Sequence, residues 1–222
     1  MRFLEKKFSG SPATVRVAPF VIFLALTACQ GKLGETSAYW LYFAKTLAGA
    51  WLIWEMCPLV AEMRWAISWE AILVSVGIFA VWVGLDPFYT KFSSKGATGN
   101  PNEAFGQNSP LAWFFIAVHV LGMTFVVPPL EEVFYRSFLH RYFASQNFLS
   151  VPLNKFLPLP FFATALVFGF SHNEWLAGII CGVAFQWLVI RKDRLGDAIT
   201  AHAITNFLLG LWIVWRGAWN FW

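Results

Sequence analysis

The chain has 222 residues, of which 58% are hydrophobic and only 13% charged. That charged share is about half the usual value of roughly 25%, too little to cover a water-soluble globule, and it excludes a disordered tail, a coiled coil and a nucleic-acid-binding arm. The net charge of +4 sits in short basic clusters beside apolar segments, which is how a membrane protein is oriented rather than how DNA is gripped. The length allows one domain, 1–222, and the reading is an all-α, polytopic transmembrane helical bundle.

Roughly 20 mostly apolar residues cross about 30 Å of hydrocarbon. Segments of that kind fall at about 17–30, 38–56, 66–85, 111–143, 157–172, 175–190 and 197–215. This predicts about seven spans, with a range of six to eight. At the first, Arg16 followed by an apolar run that ends in Leu26-Thr27-Ala28-Cys29 resembles a bacterial lipoprotein signal with its acceptor cysteine; the hydrophobic segments that follow favour an ordinary first span. Cys29, Cys57 and Cys181 lie at no metal-ligand spacing and read as packing residues. Lys45 and His119 have no partner motif and read as structural, while Glu55 and Glu70, near span ends, are either solvated or paired with Lys45.

The stretch 86–110 reads as an irregular loop. Segment 111–143 is too long for one straight span and too short for two. Pro128 and Pro129 lie inside it, so it reads as one kinked helix whose C-terminal end projects into water. Trp212, Trp215, Trp219 and Trp222 resemble an interfacial aromatic anchor. Arg2, Lys6, Lys7, Arg16, Arg64, Arg136, Arg141, Lys155, Arg191, Lys192 and Arg194 fall on one side if the N-terminus is cytoplasmic. Lys32, Lys91, Lys95 and Arg216 fall on the other.

Ionisable groups inside a membrane are costly and mark function. Three clusters stand out: Glu131-Glu132-Val133-Phe134-Tyr135-Arg136, Phe168-Gly169-Phe170-Ser171-His172, and His202-Ala203-Ile204-Thr205-Asn206. Glu132 and Arg136 are four apart, on one helix face, and can form an ion pair; His202 and Asn206 are likewise four apart. Glu131 points about 100° away from Glu132, so one carboxylate can be neutralised while the other faces a cavity. Counted at 1.5 Å per residue, the three clusters reach compatible depths in the inner half of the membrane. A desolvated carboxylate is a stronger base toward water, an imidazole holds that water or moves its proton, and an amide with a second imidazole donates to a developing oxyanion. No serine or cysteine stands as an evident nucleophile. The chemistry is attack on an amide by activated water, in a catalytic core over 111–215.

The ordered motifs Glu-Glu-x-x-x-Arg, Phe-x-x-x-His and His-x-x-x-Asn, over about 125–210, resemble the CPBP family, which groups type II CAAX prenyl endopeptidases with bacterial relatives, some linked to bacteriocin immunity. The resemblance implies a glutamate intramembrane protease (hydrolase) with Glu131 as general base, His172 assisting, and His202 and Asn206 as the oxyanion site. Glu132 and Arg136 would shape the site. It implies no cofactor; the competing mechanism is zinc held by one glutamate and two histidines. The same residues would also suit a non-catalytic scaffold or immunity-type protein, or a proton-coupled transporter. The expected partners are the lipid bilayer and a membrane-embedded or lipidated peptide, with no nucleic acid, and nothing in the sequence encodes a prenyl preference. The expected location is a bacterial inner membrane, the cavity opening toward the cytoplasm or the bilayer.

Overall fold

The computed structural model describes residues 10–34, 36–92 and 99–222. Arg2, Lys6, Lys7 and Lys95 lie outside the described residues. Within them the chain forms eight helices: α1 Pro12–Ala28, α2 Ser37–Met56, α3 Trp69–Leu85, the short α4 Pro101–Phe105, α5 Pro110–Ala144, α6 Pro158–Phe170, α7 Trp175–Lys192 and α8 Gly196–Arg216. Local chemistry sets several starts. Ser11, Ser68 and Ser109 each accept the N–H three residues on, and prolines 12, 101, 110 and 158 occupy first-turn positions where no N–H is needed. Gly217, at φ 66°, closes α8 in the left-handed conformation that glycine adopts without strain.

Every expected span corresponds to a helix. Four stretches, Trp69–Phe88, Pro110–Ala144, Trp175–Lys192 and Gly196–Arg216, are long and apolar enough to cross a membrane, while Pro12–Ala28 and Pro158–Phe170 are apolar but shorter. Large apolar side chains such as Leu73, Phe162, Trp187 and Leu211 face outward, which suits lipid rather than water.

α5 runs for 35 residues. Pro128 and Pro129 remove two backbone donors, and the helix accommodates them by widening into π geometry over Gly122–Val126, where Val127 N–H reaches back five residues to Gly122 O. A second π stretch covers Val133–Leu139. The last residues of the helix, 142–144, are exposed, but the turn before them is held inside the bundle. Ser137, His140 and Arg141 are buried, because Glu62, from the α2–α3 connection, ties Arg16, Ser137 and Arg141 together. Glu70 pairs with Lys192 at 2.8 Å rather than with Lys45. These contacts gather Arg16, Arg141 and Lys192 at one end of the bundle.

α6 and α7 meet backbone to backbone. A Cβ on Gly178 would lie 2.9 Å from the Gly169 Cα, and one on Gly182 would lie 2.9 Å from the Ala165 Cα. Small residues four apart on both helices allow this approach. It fixes the turn after Gly169 that carries His172. At the start of α8, Gly196 packs on the backbone of Arg64 and Ala66, which anchors the helix six residues before His202.

Candidate active site

The three motifs converge. Glu131 Oε2 lies 3.9 Å from His172 Nε2 and 3.9 Å from His202 Nε2, with only 14% of the Glu131 side chain exposed. These gaps are too long for direct hydrogen bonds and suit a single water bonded to both partners. Glu131 Oε2 is buried with no hydrogen-bond partner in the protein. Asn206 lines the same cavity, and its Nδ2 donates to Met123 O at 2.7 Å. That oxygen belongs to the π-wound turn of α5, so the widening ahead of the prolines also seats the carboxamide.

Both imidazoles are oriented through Nδ1. His172 Nδ1 lies 2.7 Å from Phe168 O, one helical turn back; donating there leaves Nε2 to face Glu131 with its lone pair. Ser171 supports this turn: its hydroxyl donates to Phe168 O and accepts from Tyr135 OH at 3.0 Å. Ser171 is therefore a structural neighbour of His172. His202 Nδ1 lies 2.9 Å from Glu132 Oε1. Glu132 Oε2 in turn lies 3.2 Å from Arg136 Nε, close enough for an ion pair although not aligned as a hydrogen bond. Glu132 thus does two jobs: it balances Arg136 and fixes the ring of His202. The second was invisible at a separation of 70 residues.

The Arg136 guanidinium is enclosed by aromatic faces, 4.3 Å from the Phe168 ring centroid and 5.9 Å from that of Phe185. Cation–π attraction there offsets part of the cost of burying it. Among the described residues no three His, Cys, Asp or Glu side chains are disposed to hold a metal ion. The 3.9 Å separations also exceed the edge of about 3.4 Å that a tetrahedral zinc with bonds near 2.1 Å would require. The donor set does not fit zinc, and no step is assigned to one.

The cavity holding these groups measures about 320 Å³. Besides the motif residues it is lined by Thr27, Gln30, Lys45, Glu174 and Trp222, so it extends toward the bundle end opposite the arginines. At that end α6 stops at Phe170 and leaves Ser171 exposed. Four residues assigned only structural or anchoring roles from sequence belong to the cavity: Lys45, His119, Cys181 and Trp222. His119 is stacked between Tyr42 and Trp222, with ring centroids 4.0 and 3.9 Å away. Trp222 is buried rather than interfacial, whereas Trp215 is exposed. Cys181 packs in the core, while Cys29 and Cys57 are exposed. A separate apolar hollow of about 450 Å³, lined by Trp65, Phe125, Ala203 and Phe207, lies on a different face of α8 and is not lined by Glu131, His172, His202 or Asn206.

No curated protein and no solved structure matches the chain. A family model described as type II CAAX prenyl endopeptidase Rce1-like matches residues 109–208, a stretch that contains Glu131, Glu132, Arg136, His172, His202 and Asn206. Residues 109–208 of this helical, membrane-type chain are an Rce1-like domain of the type II CAAX prenyl endopeptidase (CPBP) family.

Proposed function

We propose that the protein is an intramembrane endopeptidase that hydrolyses a peptide bond with a water activated by Glu131 and His172. The observation that carries this reading is the convergence of Glu131 with two imidazole Nε2 atoms at 3.9 Å inside a largely apolar bundle. Glu131 takes a proton from the water as its oxygen adds to the carbonyl carbon, and His172 Nε2 accepts the second hydrogen bond of that water. Negative charge then develops on the carbonyl oxygen, where protonated His202 Nε2 and the Asn206 amide donate to it. Glu132, 2.9 Å from His202 Nδ1, holds the ring so that Nε2 faces the cavity. As the tetrahedral species collapses, the C–N bond breaks and Glu131 returns its proton to the leaving amine. Arg136 holds Glu132 in place and does not touch substrate.

The finer topology belongs to the same proposal. The seven helices that correspond to the expected spans cross a bacterial inner membrane as one domain, with 111–215 as catalytic core and the N-terminus and arginine-rich end cytoplasmic. The substrate is a membrane-embedded or lipidated peptide that reaches the cavity from the bilayer or from the far side. Trapping tests the activity. Glu131→Gln protein and wild type are expressed in parallel, and membrane peptides retained by each are identified by mass spectrometry. Peptides enriched only on the variant support the proposal, and identical profiles contradict it.

A further inference from the structure

Beyond α8 the chain turns back over the motif cavity. Gly217, at φ 66°, reverses its direction, and residues 219–221 form a single 3₁₀ turn that brings Phe221 and Trp222 to the cavity wall. This segment lies outside the matched residues 109–208, and the hydrolytic steps use none of it. Trp222 is only 4% exposed. Its ring lies face to face with that of His119 on α5, centroids 3.9 Å apart at 25°, and His119 stacks in turn on Tyr42 of α2 at 4.0 Å and 9°. Trp219 braces Trp222 edge-on at 5.1 Å.

Three features make this segment separable from the wall it completes. Among the described residues, the backbone hydrogen bonds of 218–222 stay inside the segment or run to the end of α8, as Ala218 N–H does to Ile213 O, so ring packing alone ties it to α5. Trp222 Nε1–H is buried without an acceptor, so seating the ring leaves a donor unpaired that swinging outward would satisfy. Gly217 supplies the hinge, because glycine crosses between positive and negative φ at no steric cost. The cavity supplies the reason to move. At about 320 Å³ with Trp222 in place, it sits at the bottom of the usual range of roughly 300–1,000 Å³ for ligand sites. We propose that residues 217–222 are a lid: closed, Trp222 seals the cavity against His119; open, the segment swings about Gly217 and admits substrate. The lid stands on this geometry, and only the nature of what it admits, a peptide, rests on the proteolytic reading.

Cys181 reports the lid without requiring turnover. It lines the same cavity and is buried, whereas Cys29 and Cys57 are exposed and are replaced by serine to give the parent protein. Full-length protein in nanodiscs is treated with a water-soluble methanethiosulfonate, and the rate of Cys181 modification is followed by intact mass. Trp222→Ala is expected to raise that rate by about tenfold or more, the scale on which losing one stacked aromatic pair shifts a closed–open equilibrium. Trp222→Phe keeps a ring on His119 and should label at nearly the parent rate. Trp215→Ala, an exposed tryptophan at the end of α8, should change nothing. If Trp222→Ala does not fold, His119→Ala removes the same stack from the other side and carries the same expectation. A rate within about threefold of the parent for the alanine variant, or an equal rise in Trp215→Ala, overturns the lid. Peptide cleavage is scored separately. Faster labelling of Trp222→Ala with no cleavage by wild type keeps the lid and removes the proteolytic reading; cleavage by wild type with labelling unchanged removes the lid alone.

Discussion

Replacing Glu132 with Gln removes one buried charge while keeping shape and an oxygen that still accepts from His202 Nδ1. The side chains of Glu132 and Arg136 are both 0% exposed, and Oε2 and Nε are 3.2 Å apart. After the change the guanidinium is left among the rings of Phe168, Phe185 and Tyr135 with no carboxylate beside it. Breaking a buried pair from one side costs about 3–5 kcal/mol, whereas replacing both partners by groups of similar volume is often neutral. The expected pattern in mixed-micelle unfolding is therefore about 3–5 kcal/mol lost for Glu132→Gln and much of that recovered in Glu132→Gln with Arg136→Met. Proteolysis should fall in both, because a neutral amide holds the His202 ring less firmly than the carboxylate 2.9 Å from its Nδ1. A loss under about 1 kcal/mol for the single variant, or strict additivity in the double variant, would refute the reasoning.

Three more consequences are equally direct. Gly182→Leu forces a side chain into the Ala165 backbone, so α6 and α7 part; a loss of about 1–3 kcal/mol, with reduced activity as His172 shifts, is expected from unfolding and peptide-cleavage assays. Glu62 lies in a connection at the arginine end; burial raises its pKa, but Ser137 and Arg16 outweigh that and hold it below the ordinary 4.5. A depressed folded value means the stabilisation is complete above about pH 4.5 and fades as pH falls through the lower folded pKa. Glu62→Gln should flatten that acid limb of a stability–pH curve, and an unchanged limb would assign it elsewhere. Exhaustive chelation should leave proteolysis intact; loss restored by added zinc would reverse the mechanism.

Legibility in the sequence followed the range of the interactions. Contacts within one helix could be read: the four-residue spacing of Glu132 and Arg136 gave their pair, and the 100° offset put Glu131 on the cavity side. The apolar segments placed every long helix within a few residues. Contacts between distant elements could not be read. Nothing near Glu62 announces Arg16 and Arg141 as its partners, so the end of α5 was expected in water. Lys45 and Trp222 have no spacing signal because what makes them cavity residues is the docking of α1, α2 and the final turn around α5. The direction in which the cavity extends depended on the early end of α6, and hydropathy resolves helix ends poorly.

The most direct measurement is the cleavage rate of a trapped peptide by purified wild type and Glu131→Gln protein in liposomes. The account predicts that the variant unfolds like wild type and loses at least about 10²-fold in rate, the lower scale of general-base catalysis. A variant that cuts within about tenfold of the wild-type rate while equally folded would contradict the claim that Glu131 activates the water.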